Sequence, residues 1–316
     1  MSSSQSDVAV VLPNLDGGEP LLATLASTPP SGEAELVVVD NGSRPQEIEQ
    51  LRRHPRRPRV LELGGNRGFA GACNAGIAAT AAPLVLLLNN DARLAPDCLA
   101  ALCNHLLADE RLAAVQALVL EDDGGRIDTA GIEWTHRGEA VPIGRGAAPP
   151  ASPATSFAVA GVSATVALYR RAALLDVAGA ERVLCPEFFA YYEDVDLSLR
   201  LLRRGWSMAC VPAARAWHLG SFTGRRRPWR RDRLLARNRW WTLRRNFSSR
   251  FLVAAICALL RADLAHARRC GLRGALLLVA LPYWLARAPR LEAGAGEKLA
   301  RLPLLTPPAW LRTERP

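Results

Sequence analysis

Four absences narrow what this 316-residue chain can be. Its seven cysteines (73, 98, 103, 185, 210, 257 and 270) make no Cys-x-x-Cys pair and no cluster with histidine. A thiol-held metal is therefore not encoded, and an odd count at irregular spacing fits free thiols in a reducing compartment better than a disulfide framework. The N-terminus, MSSSQSDVAVVLPNLDGG, lacks a basic segment followed by an apolar one, so no signal peptide is expected and the protein is placed in the cytoplasm. The last apolar run, Gly274–Ala286, has 13 residues and contains Pro282, short of the ~20 that a membrane-spanning helix needs. Finally, the turn after the first apolar run, Pro13–Gly18, is neither G-x-G-x-x-G nor a glycine-rich basic loop. A Rossmann dehydrogenase needs the former at that place, and a nucleotide-sugar pyrophosphorylase the latter.

What is present is enough apolar material for a sizeable core, 49% of the residues, and a marked separation of charge. Arg225–Pro316 holds 21 Lys and Arg against 5 Asp and Glu, a net of +16; because the whole chain carries +10, residues 1–224 carry −6. A mildly acidic body (1–225) is thus followed by a strongly basic, helical C-terminal region (226–316). Such a region meets an anionic partner: nucleic acid, phosphate groups or a lipid surface.

In the acidic body, short apolar runs at Val8–Leu12, Leu36–Val39, Val60–Leu63 and Leu84–Leu88 alternate with helical stretches at Glu19–Ser27, Gln46–Arg53 and Gly68–Thr80. Continuous apolar strands separated by helices predict an α/β protein, its mostly parallel sheet covered on both faces. Ligands of such sheets bind beyond the carboxyl ends of the strands. Those ends read Pro13-Asn14, Asp40-Asn41-Gly42-Ser43, the glycine-rich Gly64–Gly76 and Asn89-Asn90-Asp91. Each could be ordinary turn chemistry, for which Asn, Asp and Gly are suited. On one rim they also make a site: a carboxylate at Asp40 to accept from a base or ribose, Arg67 as a charged donor to phosphate, and Asp91 to hold a divalent cation between phosphate oxygens.

A second constellation lies in FFAYYEDVDLSLRLLRRG, residues 188–205. Glu193, Asp194 and Asp196 open a predicted helix, where acidic residues meet free N–H groups and the positive end of the helix dipole. The aromatic wall before them would also desolvate a carboxylate and make it a better base. Asp196 is spaced to pair with Arg200, and Gly205 is placed to end the helix.

The stretches ELVVVDNGS, GGNRGFAGACNAGI, LVLLLNNDARL, FFAYYEDVDLSLRLLRRGW and AWHLGSF follow one another in the order and spacing of the family 2 inverting glycosyltransferases. Over residues 7–224 the chain resembles this family, most of all its bacterial rhamnosyl- and galactofuranosyltransferases. The resemblance implies a GT-A fold and a nucleoside-diphosphate sugar donor, with dTDP-rhamnose as first guess. It implies donor contacts from Pro13, Asn14, Asp40, Gly42, Arg67, Asn74 and Asn90. It also implies a divalent cation, Mg²⁺ or Mn²⁺, at Asn89, Asp91 and His218, with Asn89 replacing the first Asp of the family's Asp-x-Asp motif. Asp194 maps to the general base and Glu193 to a group that orients the acceptor or caps the helix.

Gly124–Pro153 reads as loops around a hairpin on the acceptor side, Gly161–Tyr169 as a further strand, and Arg225–Arg227 as either a lid on the diphosphate or a solvated charge run. The Trp- and Arg-flanked apolar helices beyond Arg230 are either an ordinary helical appendage packing on the body or an attachment to an anionic membrane surface, the reading preferred here, on the inner face of the cell membrane, with a lipid-linked or cell-envelope glycan as acceptor. The rival readings are a nucleic-acid-binding protein, which would leave the rim motifs without a role, and an inactive relative.

Overall fold

Strands form where the apolar runs are continuous, because only a sheet covered on both faces can bury every residue of such a run. The computed structural model describes residues 7–30, 32–135, 138–151, 154–178, 182–220, 228–270, 272–289, 299–301, 303–305, 308 and 311; Arg225, Arg226 and Arg227 lie outside them. In chain order these give β1 (Val8–Asn14), α1 (Gly18–Ser27), β2 (Glu35–Asp40), α2 (Pro45–Arg52), β3 (Arg59–Glu62), α3 (Gly68–Ala78) and β4 (Leu84–Leu88). Then come β5 (Ala92–Leu94), α4 (Cys98–Ala108), β6 (Leu112–Glu121), β7 (Ile127–Thr129), the hairpin β8 (Ile132–Trp134) and β9 (Ala140–Pro142), β10 (Phe157–Ala158), β11 (Val166–Arg170) and α5 (Arg171–Val177). The remaining elements are α6 (Glu193–Arg203), β12 (Ser207–His218), α7 (Pro228–Asn246), α8 (Ser249–Cys270), α9 (Leu272–Val279) and α10 (Leu281–Ala286).

The main sheet has the order β10-β12-β6-β11-β4-β1-β2-β3, with β5 on β12 and β7 on β6. Strands β4, β1, β2 and β3 run parallel, and β11 is antiparallel to both its neighbours. The chain winds from β1 outward through β2 to β3, then returns to the other side of β1 as β4. This reversal opens a crevice at the carboxyl ends of β1 and β4. Two apolar cores cover the sheet: one holds Val11, Val39 and Leu87, the other Leu12, Val38 and Leu86. The alternation is the two-residue period of strand side chains.

Gly161–Tyr169 is strand only from Val166 onward. Before it, the Ala164 N–H donates to a carboxylate of α6 (3.2 Å) instead of to a neighbouring strand. Helix α6 ends as its sequence predicts: Gly205, at φ +86°, donates to the Leu202 carbonyl and Trp206 to that of Leu201, closing the last turn.

The basic C-terminal region is fastened to the body through α6. Asp196, fully buried, accepts from Arg200 Nε (3.0 Å) on its own helix, as expected, and also from Arg245 Nε (2.9 Å) and Asn246 Nδ2 (2.8 Å) of α7. Trp240, Leu243 and Phe247 pack on Val195 and Leu199 of α6. Asp196→Ala strands two buried guanidinium groups without their counter-ion. It should cost about 3–5 kcal/mol of stability, read from the urea midpoint at constant slope; a change under about 1 kcal/mol would show that Arg200 and Arg245 find other partners.

Candidate active site

The crevice is a cavity of about 650 Å³ at the reversal point of the sheet. Its floor is built where the two central strands end. Asn90 Nδ2, just beyond β4, donates to Asn14 Oδ1 at the end of β1 (2.8 Å), and Asn14 Nδ2 donates to Glu47 Oε1 (2.6 Å). Glu47, buried in α2, also accepts the Gly17 and Gly18 N–H groups, so this carboxylate fixes the turn that leads into α1.

One wall carries a chain of alternating charge. Strand β5 pairs with β12 so that His218 lies opposite Ala92, which sets its imidazole against Asp91. His218 Nε2 is 3.1 Å from Asp91 Oδ1, and Nδ1 is 2.8 Å from Asp128 Oδ2. Asp128 is also paired with Arg145 (2.7 Å). Burial works to lower the His218 pKa, but the two carboxylates outweigh it and raise it to about 9. At neutral pH the imidazolium therefore joins two carboxylates. Burial alone would raise the Asp128 pKa; His218 and Arg145 instead hold it below the usual carboxylate range.

The cavity is also lined by Glu193 and Asp194 at the start of α6. Asp194 is half-buried; its Oδ2 accepts the Ala164 N–H (3.2 Å) and its Oδ1 the Val195 N–H (2.8 Å). Burial raises its pKa against the pull of those N–H groups. Glu193 is buried, its Oε2 has no hydrogen-bond partner, and burial together with the Asp194 charge pushes its pKa well up. Of the pair, Glu193 is pushed up the further, and the two N–H groups on Asp194 oppose the rise there. Adjacent residues link the two groups: Ala164 donates to Asp194, and the Thr165 carbonyl accepts the Asn89 N–H (2.9 Å).

Asn89, Asp91 and His218 suit a divalent cation through the chemistry of their donors. Asp91 Oδ1 and His218 Nε2 face each other, and Asn89 Oδ1 is buried without a hydrogen-bond partner. Among the described residues no three His, Cys, Asp or Glu side chains converge on one ion position. Asp128 is a partner that sequence reasoning did not find; it lies in the glycine-rich stretch after β6, with no motif around it. Its carboxylate fixes the tautomer of His218 that would turn Nε2 to an ion. Asp128→Asn should weaken Mn²⁺ binding by about 10–100-fold in titration calorimetry, and an unchanged affinity would remove Asp128 from this role.

Of the other residues predicted from sequence, Pro13, Asn14 and Asn90 line the cavity, whereas Asp40, Gly42, Arg67 and Asn74 do not. The buried Asp40 carboxylate accepts the Gly42 and Ser43 N–H groups of the turn after β2 (3.1 and 3.2 Å). Arg67 is exposed and donates to the Leu63 carbonyl, and Asn74 is fully engaged with the backbone of Leu184. Arg145 and Arg231 are lining residues without a sequence signal of their own, and in the turn after β2 it is Asn41 rather than Asp40 that lines the cavity. The aromatic wall divides: Phe188 is core, while Phe189, Tyr191 and Tyr192 face the cavity.

Residues 10–177 match the family model described as "Glycosyl transferase family 2". The chain belongs to this family. The similar solved structures agree in fold. A structure of GalNAc-T7 with UDP, GalNAc and Mn²⁺ superposes with a TM-score of 0.60 at 14% identity, over 78% of this chain and 49% of that one, so this family 2 chain spans about half the length of that relative. The mannosyltransferase PcManGT of Pyrobaculum calidifontis, in complex with GDP-Man and Mn²⁺, superposes at 0.54 with 21% identity, over 92% and 86% of the two chains. S. aureus TarS 1–349 superposes at 0.55 with 16% identity, over 89% and 81%. The fold is therefore GT-A, with the family 2 chain's helices α7–α10 following the sheet domain. No curated protein gives a significant match to the chain.

Proposed function

We propose that this family 2 chain is an inverting glycosyltransferase. It moves a sugar from a nucleoside diphosphate to a hydroxyl of a lipid-linked or cell-envelope glycan, with Asp194 as general base. The observation that supports this best is that Asp194, Asn89, Asp91 and His218 all line one cavity, with Ala164 bonded to Asp194 and Thr165 to Asn89.

The nucleotide lies along the ends of β1 and β4, against Pro13, Asn14 and Asn90; Asp40, Gly42, Arg67 and Asn74 shape this rim from behind. Arg145 and Arg231 line the same cavity and supply guanidinium donors to phosphate oxygens. A bound divalent cation at Asn89, Asp91 and His218 supplies positive charge against which the diphosphate departs. The acceptor oxygen forms its bond to the anomeric carbon as the bond to the diphosphate oxygen breaks on the opposite face, and its proton passes to Asp194. Glu193 orients the acceptor through a hydrogen bond. The test is a thermal-shift panel of UDP, GDP and dTDP and their sugars with Mn²⁺ or Mg²⁺, led by dTDP-rhamnose on the strength of the motif resemblance. One nucleotide class should raise Tm in the presence of metal; no stabilisation by any of them overturns the assignment.

The acceptor side is proposed to work at an anionic membrane surface. Among the described residues no helix is long and apolar enough to cross a membrane. Helix α8 nevertheless exposes Val253, Ile256, Leu260 and Leu264 on one face, and Val279 and Tyr283 are exposed nearby in sequence. Arg250, Arg261 and Arg268 are exposed on the same helix, while its acid, Asp263, is paired with Arg239 and Trp240. An apolar stripe rimmed by one sign of charge suits anionic lipid, each arginine adding about 1 kcal/mol near the surface. The protein should sediment with anionic vesicles, come off as salt rises, and bind neutral vesicles less well. Equal recovery on both, or on neither, would reassign the stripe to a protein partner.

A further inference from the structure

The loop that delivers Glu193 and Asp194 is held in a conformation that its own sequence disfavours. Phe189, Tyr191 and Tyr192 have φ of +69°, +70° and +70°, in a region that bulky L-residues rarely adopt. Phe189 sits in a tight turn closed by the Ala190 N–H on the Phe188 carbonyl (2.8 Å), and Tyr192 is the residue before the first turn of α6. Side chains of this kind stay at positive φ only where their surroundings fix them.

The surroundings that do so come from α7, outside the residues matched by the family model. Asn238, fully buried, directs Nδ2 at three carbonyls of the loop, those of Phe188 (3.0 Å), Ala190 (2.9 Å) and Tyr191 (2.7 Å). Its Oδ1 accepts from Arg237 Nε (2.9 Å), which leaves the amide nitrogen facing the loop. Arg237 Nη2 donates to the carbonyls of Glu187 (3.1 Å) and Phe188 (2.9 Å), and its guanidinium lies over the Trp241 ring (4.1 Å). On the far side Gly68, at φ +76°, lets the Phe189 backbone approach: a Cβ there would stand 2.3 Å from the Phe189 oxygen. Ala70 donates its N–H to that oxygen (3.2 Å). Asn238 itself does not line the cavity.

We infer that Asn238 is a positioning residue for catalysis: by gathering three loop carbonyls it sets the left-handed path that places Asp194 on the cavity wall, so the C-terminal helix is part of the catalytic apparatus. The inference rests on Asp194 as the base. Local order can be read without any activity, which keeps a failure here distinct from a failure of the proposed reaction.

Asn238→Ala removes both N–H groups, and Asn238→Ser keeps one donor. In hydrogen exchange of the full-length protein, peptides covering 186–197 should exchange at least about tenfold faster in Asn238→Ala and less so in Asn238→Ser, with the peptides of β1 and β4 unchanged. With whichever nucleotide sugar of the panel the wild type turns over, kcat should fall on the order of 10–100-fold. KM for that donor and Mn²⁺-dependent affinity for its nucleoside diphosphate should stay within about twofold, because a misplaced base leaves the donor site intact. Unchanged exchange at 186–197, or faster exchange throughout the chain in both variants, overturns the positioning role. So does full turnover in Asn238→Ala, or an equal loss of donor affinity and kcat. If Asn238→Ala does not fold, Asn238→Ser decides on the same readouts.

Discussion

Asp194→Asn should lower glycosyl transfer by a factor on the order of 10²–10⁴ while folding and nucleotide binding survive. The substitution is nearly isosteric, and an amide oxygen can still accept the Ala164 N–H that Asp194 now accepts. What it cannot do is take a proton. Burial raises the Asp194 pKa, so the wild-type rate should fall with acidity along a limb that lies above the usual carboxylate pKa of about 4. The direction follows from the chemistry: the base works as an anion and is lost as pH drops through its pKa. The asparagine variant should lack that limb. Glu193→Gln should be much milder, because glutamine still donates a hydrogen bond and burial already disfavours the Glu193 charge. Wild-type turnover in Asp194→Asn would move the base elsewhere.

Asp91→Ala should abolish cation-dependent donor binding, and His218→Ala should weaken it less, since a neutral imidazole contributes one bond and no charge. The pH dependence has a defined sign. With a pKa of about 9, His218 carries a proton at pH 7, held between Asp91 and Asp128. A cation must displace that proton, so binding should release about one proton and tighten up to about tenfold per pH unit until pH approaches 9. Calorimetry in two buffers of different ionisation enthalpy measures the release directly. If EDTA leaves transfer intact, the cation assignment fails, and Arg145 and Arg231 must carry the diphosphate charge.

The sequence by itself determined the strands and the rim. Val8–Asn14, Glu35–Asp40 and Leu84–Leu88 are strands because a continuous apolar run has few other ways to be buried, and the residues that follow each run had to gather on one edge of a parallel sheet. Asp91 stands at such a strand end; His218 and the roles of Glu193 and Asp194 came instead from the resemblance of AWHLGSF and FFAYYEDVDLSLRLLRRGW to the family. Which polar residues face the cavity was decided only by tertiary structure. Asp40 and Asn74 have the right chemistry, but their polar atoms are consumed by nearby backbone groups, while Asn41 of the same motif lines the cavity and Arg145 does so without a motif. Asp128 reaches His218 across 90 residues of chain, and Asn238 reaches the aromatic loop across 50. Spacing carries information about neighbours on one element. A hydrogen bond between elements depends on how they pack, and the positive φ of Tyr191 and Tyr192 runs against what local sequence favours; the carbonyls of Ala190 and Tyr191 are held there by Asn238 of α7.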